Sequence, residues 1–229
     1  MQIKHDGPDR LRLGIVLAQG INPVAASPAL DRGIVTRLAQ LQGGLTDSED
    51  AYRTEIRDVF RNGSYKPTGR AKPASEYLLR AAAEDNFPRI NTVVDCCNYL
   101  SMLSLLPISI WDVEKAASSS FVFRLGREDE SYIFNTAGQS ISLKDLIVGC
   151  ALLPNGADRP IINGVKDSMG TKTSDESLVV AAAIYAPLHD GPTISLEKVC
   201  SMFVNILSET ASGANAVYTI VPPGATAQL

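Results

Sequence analysis

Apolar residues keep a helical spacing as far as Leu105; beyond Pro107 they alternate or run in short continuous stretches. That one change of period constrains the fold more than any other feature. Helices gathered in one part of a chain and strands in another point to an α+β arrangement and disfavour the alternating units of a doubly wound nucleotide-binding fold. The helical spacing predicts helices over Asp31–Leu41, Ser48–Arg61 and Glu76–Ala83, the last with Ser75 as its N-cap. It is strongest over Asn91–Leu105, where Val93, Cys96, Cys97, Leu100, Leu103 and Ser104 share one face, while Asp95 and Asn98 lie on another. One strand, Leu11–Ala18, precedes these helices. Phe121–Leu125, Tyr132–Asn135, Ile147–Leu153, Ile161–Val165 and Leu178–Tyr185 follow them as strands. A late helix over Leu196–Leu207, opened by Ser195, and a strand over Ala216–Val221 complete the pattern, and the tail Pro222–Leu229 is expected to be loose. No repeat, low-complexity tract or linker interrupts the chain, so a single domain over residues 1–229 is expected.

Composition excludes several kinds of function. The formal net charge of −4 does not suit a protein whose main work is neutralising nucleic-acid phosphates, and no DNA partner is expected. The charge is uneven, however: Arg61, Lys66, Arg70, Lys72 and Arg80 face a single acid, Glu76, within twenty residues. A solvated face is the plainer reading of that run, and Lys66, Arg70 and Lys72 are its candidates for RNA phosphate contacts. Cys96, Cys97, Cys150 and Cys200 form no C-x-x-C, and His5 and His189 are distant from them in sequence, so reduced buried thiols are expected and no metal site. No Gly-rich phosphate loop and no G-x-S-x-G elbow occurs, and two histidines leave little for a histidine-based triad. No cofactor is expected. No apolar run reaches membrane-spanning length and the first residues carry no apolar signal region, so a cytoplasmic protein without a membrane partner is expected.

The run Ile90-Asn91-Thr92-Val93-Val94-Asp95-Cys96-Cys97-Asn98-Tyr99 leads on to Pro107-Ile108-Ser109-Ile110-Trp111-Asp112. Together these resemble, without a gap, a signature of the B3/B4 module, the editing part of the bacterial phenylalanyl-tRNA synthetase beta subunit: I-N-x-V-V-D-x-T-N-Y, then P-L-H-A-F-D. Tyr65-Lys66-Pro67 and the stretch Pro73 to Arg80 are similar to the lead-in of freestanding members. The resemblance spans about residues 55–190 and is sharpest over its central 25 or so. It implies an α+β fold with mostly antiparallel sheets in a sandwich-like layer packed with helices. It also implies a pocket for an amino acid esterified to a tRNA 3′ end, so the expected partner is an aminoacyl-tRNA or a free amino acid. Asn98 occupies the place of the module's pocket asparagine, with Tyr99 beside it, and Asp95 is expected to cap or cross-link rather than to touch substrate.

Two departures bear on the chemistry. Ser109 stands where the module has histidine, and Ala181 or Ala182 stands where a strand carries the pocket glutamate. Neither a hydroxyl nor a methyl serves as a general base near neutrality. The turn from Asn163 to Thr173 offers replacements: Gly164, whose backbone could face a ligand, and Asp167, its only carboxylate and the candidate base. A solvated connection is the plainer reading of that turn. The catalytic candidates are therefore Asn98, Ser109 and Asp167, and the substrate-binding set adds Tyr99, Gly164, Ala181 and Ala182. Two functions follow: a trans-acting deacylase of mischarged tRNA, or a non-catalytic module that binds the same end without cleaving it.

Overall fold

The helix that carries the signature is fixed at both ends by its own polar residues. In the structure, a computed structural model describing residues 1–229, the Asn91 side chain accepts the N–H of Val94 and starts the helix, and Leu105 ends it in the left-handed region at φ 67°. A leucine there costs about 1 kcal/mol. Serines hold the turn that follows. Ser104 Oγ donates to Leu100 O and accepts the N–H of Leu106, while Ser101 Oγ donates to Leu106 O at 2.6 Å. The chain therefore leaves the helix sharply and enters a strand at Ile108.

In chain order the elements are β1 (Gln2–His5), β2 (Arg12–Gln19), α1 (Pro28–Leu41), α2 (Asp47–Phe60), α3 (Ala74–Ala83), α4 (Thr92–Ser104), β3 (Ile108–Asp112), α5 (Val113–Ala116), β4 (Ser120–Leu125), β5 (Ser131–Ile133), β6 (Ser140–Ser142), β7 (Ile147–Leu152), β8 (Asp158–Asn163), β9 (Val179–Ala186), α6 (Leu196–Ser208), β10 (Asn215–Val221) and β11 (Thr226–Gln228). The fold is α+β, as the change of period implied. A four-stranded antiparallel sheet runs β10-β2-β9-β3, and a five-stranded sheet runs β11-β1-β4-β7-β8 with one parallel pair, β1 with β4. β5 and β6 form a separate hairpin.

The two sheets pack through edge-to-face aromatic pairs: Trp111 on Phe121 at 5.3 Å, and Phe123 on Tyr185 at 6.3 Å. The other face of the four-stranded sheet is covered by α6, which lies on β2 and β10, and by α4, which lies on β3. On the five-stranded sheet, Arg124 is paired with Glu130 and Asp158 at 2.6 Å each.

The structure moves several expected boundaries. The helix expected from Asp31 begins at Pro28, capped by Ser27. Ser75 caps nothing: α3 begins one residue earlier, after Pro73, and Ser75 is buried inside it. The strand expected over Ile161–Val165 lies earlier, over Asp158–Asn163, because Asn163 turns the chain. β1, β3, β6 and β11 carried too few alternating residues to be read as strands. The tail is not loose. Gln228, Ala227 and Thr226 pair with Gln2, Ile3 and Lys4, and Leu229 N donates to Met1 O at 2.9 Å. Net backbone hydrogen bonds contribute about 0.5–1.5 kcal/mol each, so deleting residues 226–229 is expected to cost roughly 1–3 kcal/mol. At this chain size the melting temperature should fall by about 2–10 °C. An unchanged melting curve in calorimetry would show that the pairing contributes nothing.

Candidate functional site

β3 and β8 are edge strands of different sheets, and an edge strand leaves backbone N–H groups without ladder partners. The turn after β8 supplies one. Asn163 Oδ1 accepts the N–H groups of Val165 and Lys166, each at 2.8 Å, and so folds the chain back on itself. Asp167 is thereby aimed at both edges: Oδ2 accepts from Ile110 N at 3.3 Å and Oδ1 from Asn163 N at 3.2 Å. One carboxylate thus joins the two sheets at their shared corner.

Ser109 adds a second link. Its Oγ donates to Asn163 O at 2.8 Å and accepts from Tyr185 Oη at 3.3 Å. The hydroxyl also lies beside the Asp167 carboxylate, but the 2.8 Å bond to the carbonyl takes its only proton. Tyr132 completes the cluster, donating to Lys166 O at 2.8 Å and accepting from Asn163 Nδ2 at 2.5 Å. Burial pushes the Asp167 carboxyl up to about 7, against the opposing pull of the N–H groups of Asn163 and Ile110. Asp167 in turn lies close to Cys97 of α4; burial first, and this carboxylate second, push that thiol up.

α4 brings the signature's polar residues to the other side of β3. Asn91 is the helix cap and also donates to Asp175 at 2.8 Å. Asp95 is buried and accepts from Arg89 Nε and Ile90 N, both at 2.7 Å, the cross-link expected of it. Asp112 caps α5 and accepts from Ser177 Oγ at 2.6 Å, and its carboxyl lies below the ordinary range because these bonds outweigh burial. Asn98 differs from all three. It is half-buried and its amide makes no hydrogen bond within the chain.

Several expected site residues are used by the fold instead. Tyr99 is packed against α1, where a Cβ on Gly33 would stand 2.8 Å from its hydroxyl; it points away from the corner. Gly164 is buried, and its carbonyl accepts from Ala74 N at 2.9 Å. A Cβ there would meet the Phe60 ring at 2.4 Å, so this glycine makes room for a side chain rather than for a ligand. Ala181 and Ala182 lie on opposite faces of β9, so they cannot line one pocket. Ala181 is opposite Trp111 and faces the other sheet, while Ala182 is opposite Ile110 and faces the helices. The residue beside Ser109 is Ala183, one position on, which a missed β3 left unreadable. Ser109 is itself buried with its proton committed, which removes it as a group that touches substrate.

Lys66 and Arg70 share a cleft of about 520 Å³ with Lys144 and Lys166, whereas Lys72 belongs to a different cleft and lies 3.9 Å from Glu76. Neither cleft is lined by Asn98, Ser109 or Asp167. No group of His, Cys, Asp and Glu is arranged to hold a metal. His5 is buried on Leu11 O and His189 is on Glu55, both away from the corner.

No family model matches the chain. It is similar to the phenylalanine–tRNA ligase beta subunit of Streptococcus pyogenes, serotypes M3 and M1, at 25% identity over 147 residues. Those residues are 62% of this chain and 17% of the relative, so the chain matches about a sixth of the curated proteins' length. Among solved structures it is similar to an N-terminal fragment of the phenylalanyl-tRNA synthetase β-subunit from Pyrococcus horikoshii. That likeness has a TM-score of 0.41 and 10% identity, over 59% of this chain and 47% of the other.

The raised carboxyl gives the corner a pH signature. A free aspartate titrates near 3.8 and Asp167 near 7, so between those values the folded state holds the extra proton. Its contribution to stability is complete below about 4 and is lost as pH rises through about 7. His5, which burial holds below its ordinary value, acts in the opposite direction, so the difference between two proteins isolates Asp167. Calorimetry from pH 4 to 8 should show the melting temperature of wild type falling relative to that of Asp167→Asn. Parallel curves would mean that the carboxyl titrates normally.

Proposed function

We propose that this chain binds the aminoacylated 3′ end of a tRNA and hydrolyses the ester of a mischarged amino acid. The observation that carries the reading is Asn98. Of the polar residues that the chain shares with the B3/B4 signature, Asn91, Asp95 and Asp112 are consumed by caps and cross-links, and Asn98 alone keeps its amide free. An amide offers both an acceptor and two donors, which suits an α-amino group and an ester carbonyl together. The similarity to the ligase beta subunits supports the same substrate class.

In this reading Asp167 is the general base. Its carboxyl near 7 lets it take a proton from water at neutral pH. Ser109 is a positioning residue, holding Asn163 and through it the turn that carries Asp167. The reaction needs water to attack the ester carbonyl while its proton passes to Asp167, and the ribose oxygen leaves with a proton returned.

A second reading has one observation in its favour. Asp167 already holds two backbone N–H groups, so the same site could grip an aminoacyl end without turning it over. That protein would be stabilised against melting by a non-hydrolysable aminoacyl-adenosine amide yet leave esters intact.

The deciding measurement is ester loss from tRNAs charged with tyrosine, phenylalanine and small amino acids. Wild type should cleave at least one faster than buffer does, with kcat/KM rising with pH through about 7 and then levelling. Asp167→Asn should lower kcat about 10²–10⁴-fold, the usual range for a lost general base. Asn98→Ala should act mainly on KM. If every ester survives as long as in buffer, the hydrolytic reading fails.

A further inference from the structure

The chain is acidic overall, yet one cleft is lined by four cations and no carboxylate. The cleft of about 520 Å³ lies between the loop after α2 and the β5–β6 hairpin, and Lys66, Arg70, Lys144 and Lys166 project into it beside the hydroxyls of Thr68 and Ser142. The neighbouring acids are occupied. Asp145 accepts from Ser64 N and Oγ at 2.7 and 2.6 Å, and Glu128 is held by Lys144 at 2.6 Å. Lys66, Arg70 and Lys166 form no ion pair; Lys166 Nζ rests 4.2 Å above the Phe134 ring, which steers the ammonium without neutralising it. Three uncompensated cations lining one cleft repel one another, and an arrangement of this kind is relieved by a ligand carrying several negative charges. Lys66 and Arg70 are exposed, so they remain free to meet it.

We infer that this cleft binds successive phosphates of a single-stranded RNA backbone. Lys166 lines the cleft, and its carbonyl accepts from Tyr132 Oη at 2.8 Å, which anchors this part of the rim to the β5–β6 hairpin. The inference deepens the proposed function and rests on it for the identity of the RNA. It also separates Lys66 and Arg70 from Lys72, with which they share a run of sequence: Lys72 faces Glu76 in the other cleft and takes no part.

The test measures binding of a fluorescent RNA oligonucleotide as salt is raised, alongside ester loss from charged tRNA. Single-stranded RNA gives a log–log slope of about −0.7 per phosphate engaged, so wild type should show about −2. Lys66→Glu with Arg70→Glu should reduce the slope to about −0.7 and weaken binding roughly tenfold or more at low salt, with an unchanged melting temperature. Lys72→Gln should bind as wild type does. A double variant that binds RNA undiminished overturns the cleft and leaves the corner's chemistry standing. RNA binding that collapses in the double variant, with no ester cleaved by wild type, upholds the cleft and overturns the hydrolytic reading. A wild type that binds no RNA at low salt, or binds inorganic tripolyphosphate alone, overturns the inference.

Discussion

Two sheets packed face to face still have edges, and where the edges of both lie at one corner something must satisfy the backbone groups there. In this protein that something is the carboxylate of Asp167, which accepts one N–H from Ile110 on β3 and one from Asn163 at the end of β8. Each buried N–H left without a partner costs about 1–3 kcal/mol, so the corner depends on a single side chain. Ser109 reinforces it across the sheets, and Asn163 shapes the turn that aims it. Enclosing a carboxylate in this way raises its affinity for a proton. Burial at this corner, and not the bonds themselves, brings the carboxyl near neutrality, since the N–H groups it accepts pull the other way.

This division of labour explains why the central signature reads as function but is mostly architecture. Asn91, Asp95 and Asp112 each satisfy orphan backbone or charged groups at an element's end, which the chain must do wherever a helix starts or stops. Tyr99 fills the space that Gly33 leaves on α1. What remains after these obligations are met is Asn98, and a polar residue with no structural employment on a half-buried face is where a ligand is to be sought.

Much of the fold was legible. α2, α4 and α6 follow from their apolar stripes, and α6 also from its cap Ser195, whereas the caps Thr46 with Glu49 and Asn91 emerged only with the structure. β2, β4, β7, β9 and β10 follow from continuous or alternating apolar runs. What escaped is instructive. β1 and β11 are short and amphipathic, and their pairing joins the two termini, a contact no local pattern encodes. Only three residues separate β3 from α4, and β3 contains Ser109, so its alternation is spoiled at the position that matters. Missing β3 also hid the register that sets Ala183 beside Ser109. In the site, Asp167 could be named as the only carboxylate of its turn, but its raised affinity for protons comes from burial between distant strands. Lys144 and Lys166 joined Lys66 and Arg70 only through tertiary folding, while Lys72 left them by facing the other way.

The serine at position 109 then has a different meaning from a lost catalytic group. A histidine there would bring its own titration near neutrality to the corner. Serine is smaller and carries one proton, which it gives to Asn163 O, so it draws β8 against β3. Asp167 lies half-buried beside that contact, and desolvation is the largest influence on its carboxyl. A serine there brings no titration of its own, so the near-neutral titration of the corner belongs to the carboxylate beside it, raised by desolvation against the pull of the N–H groups it accepts.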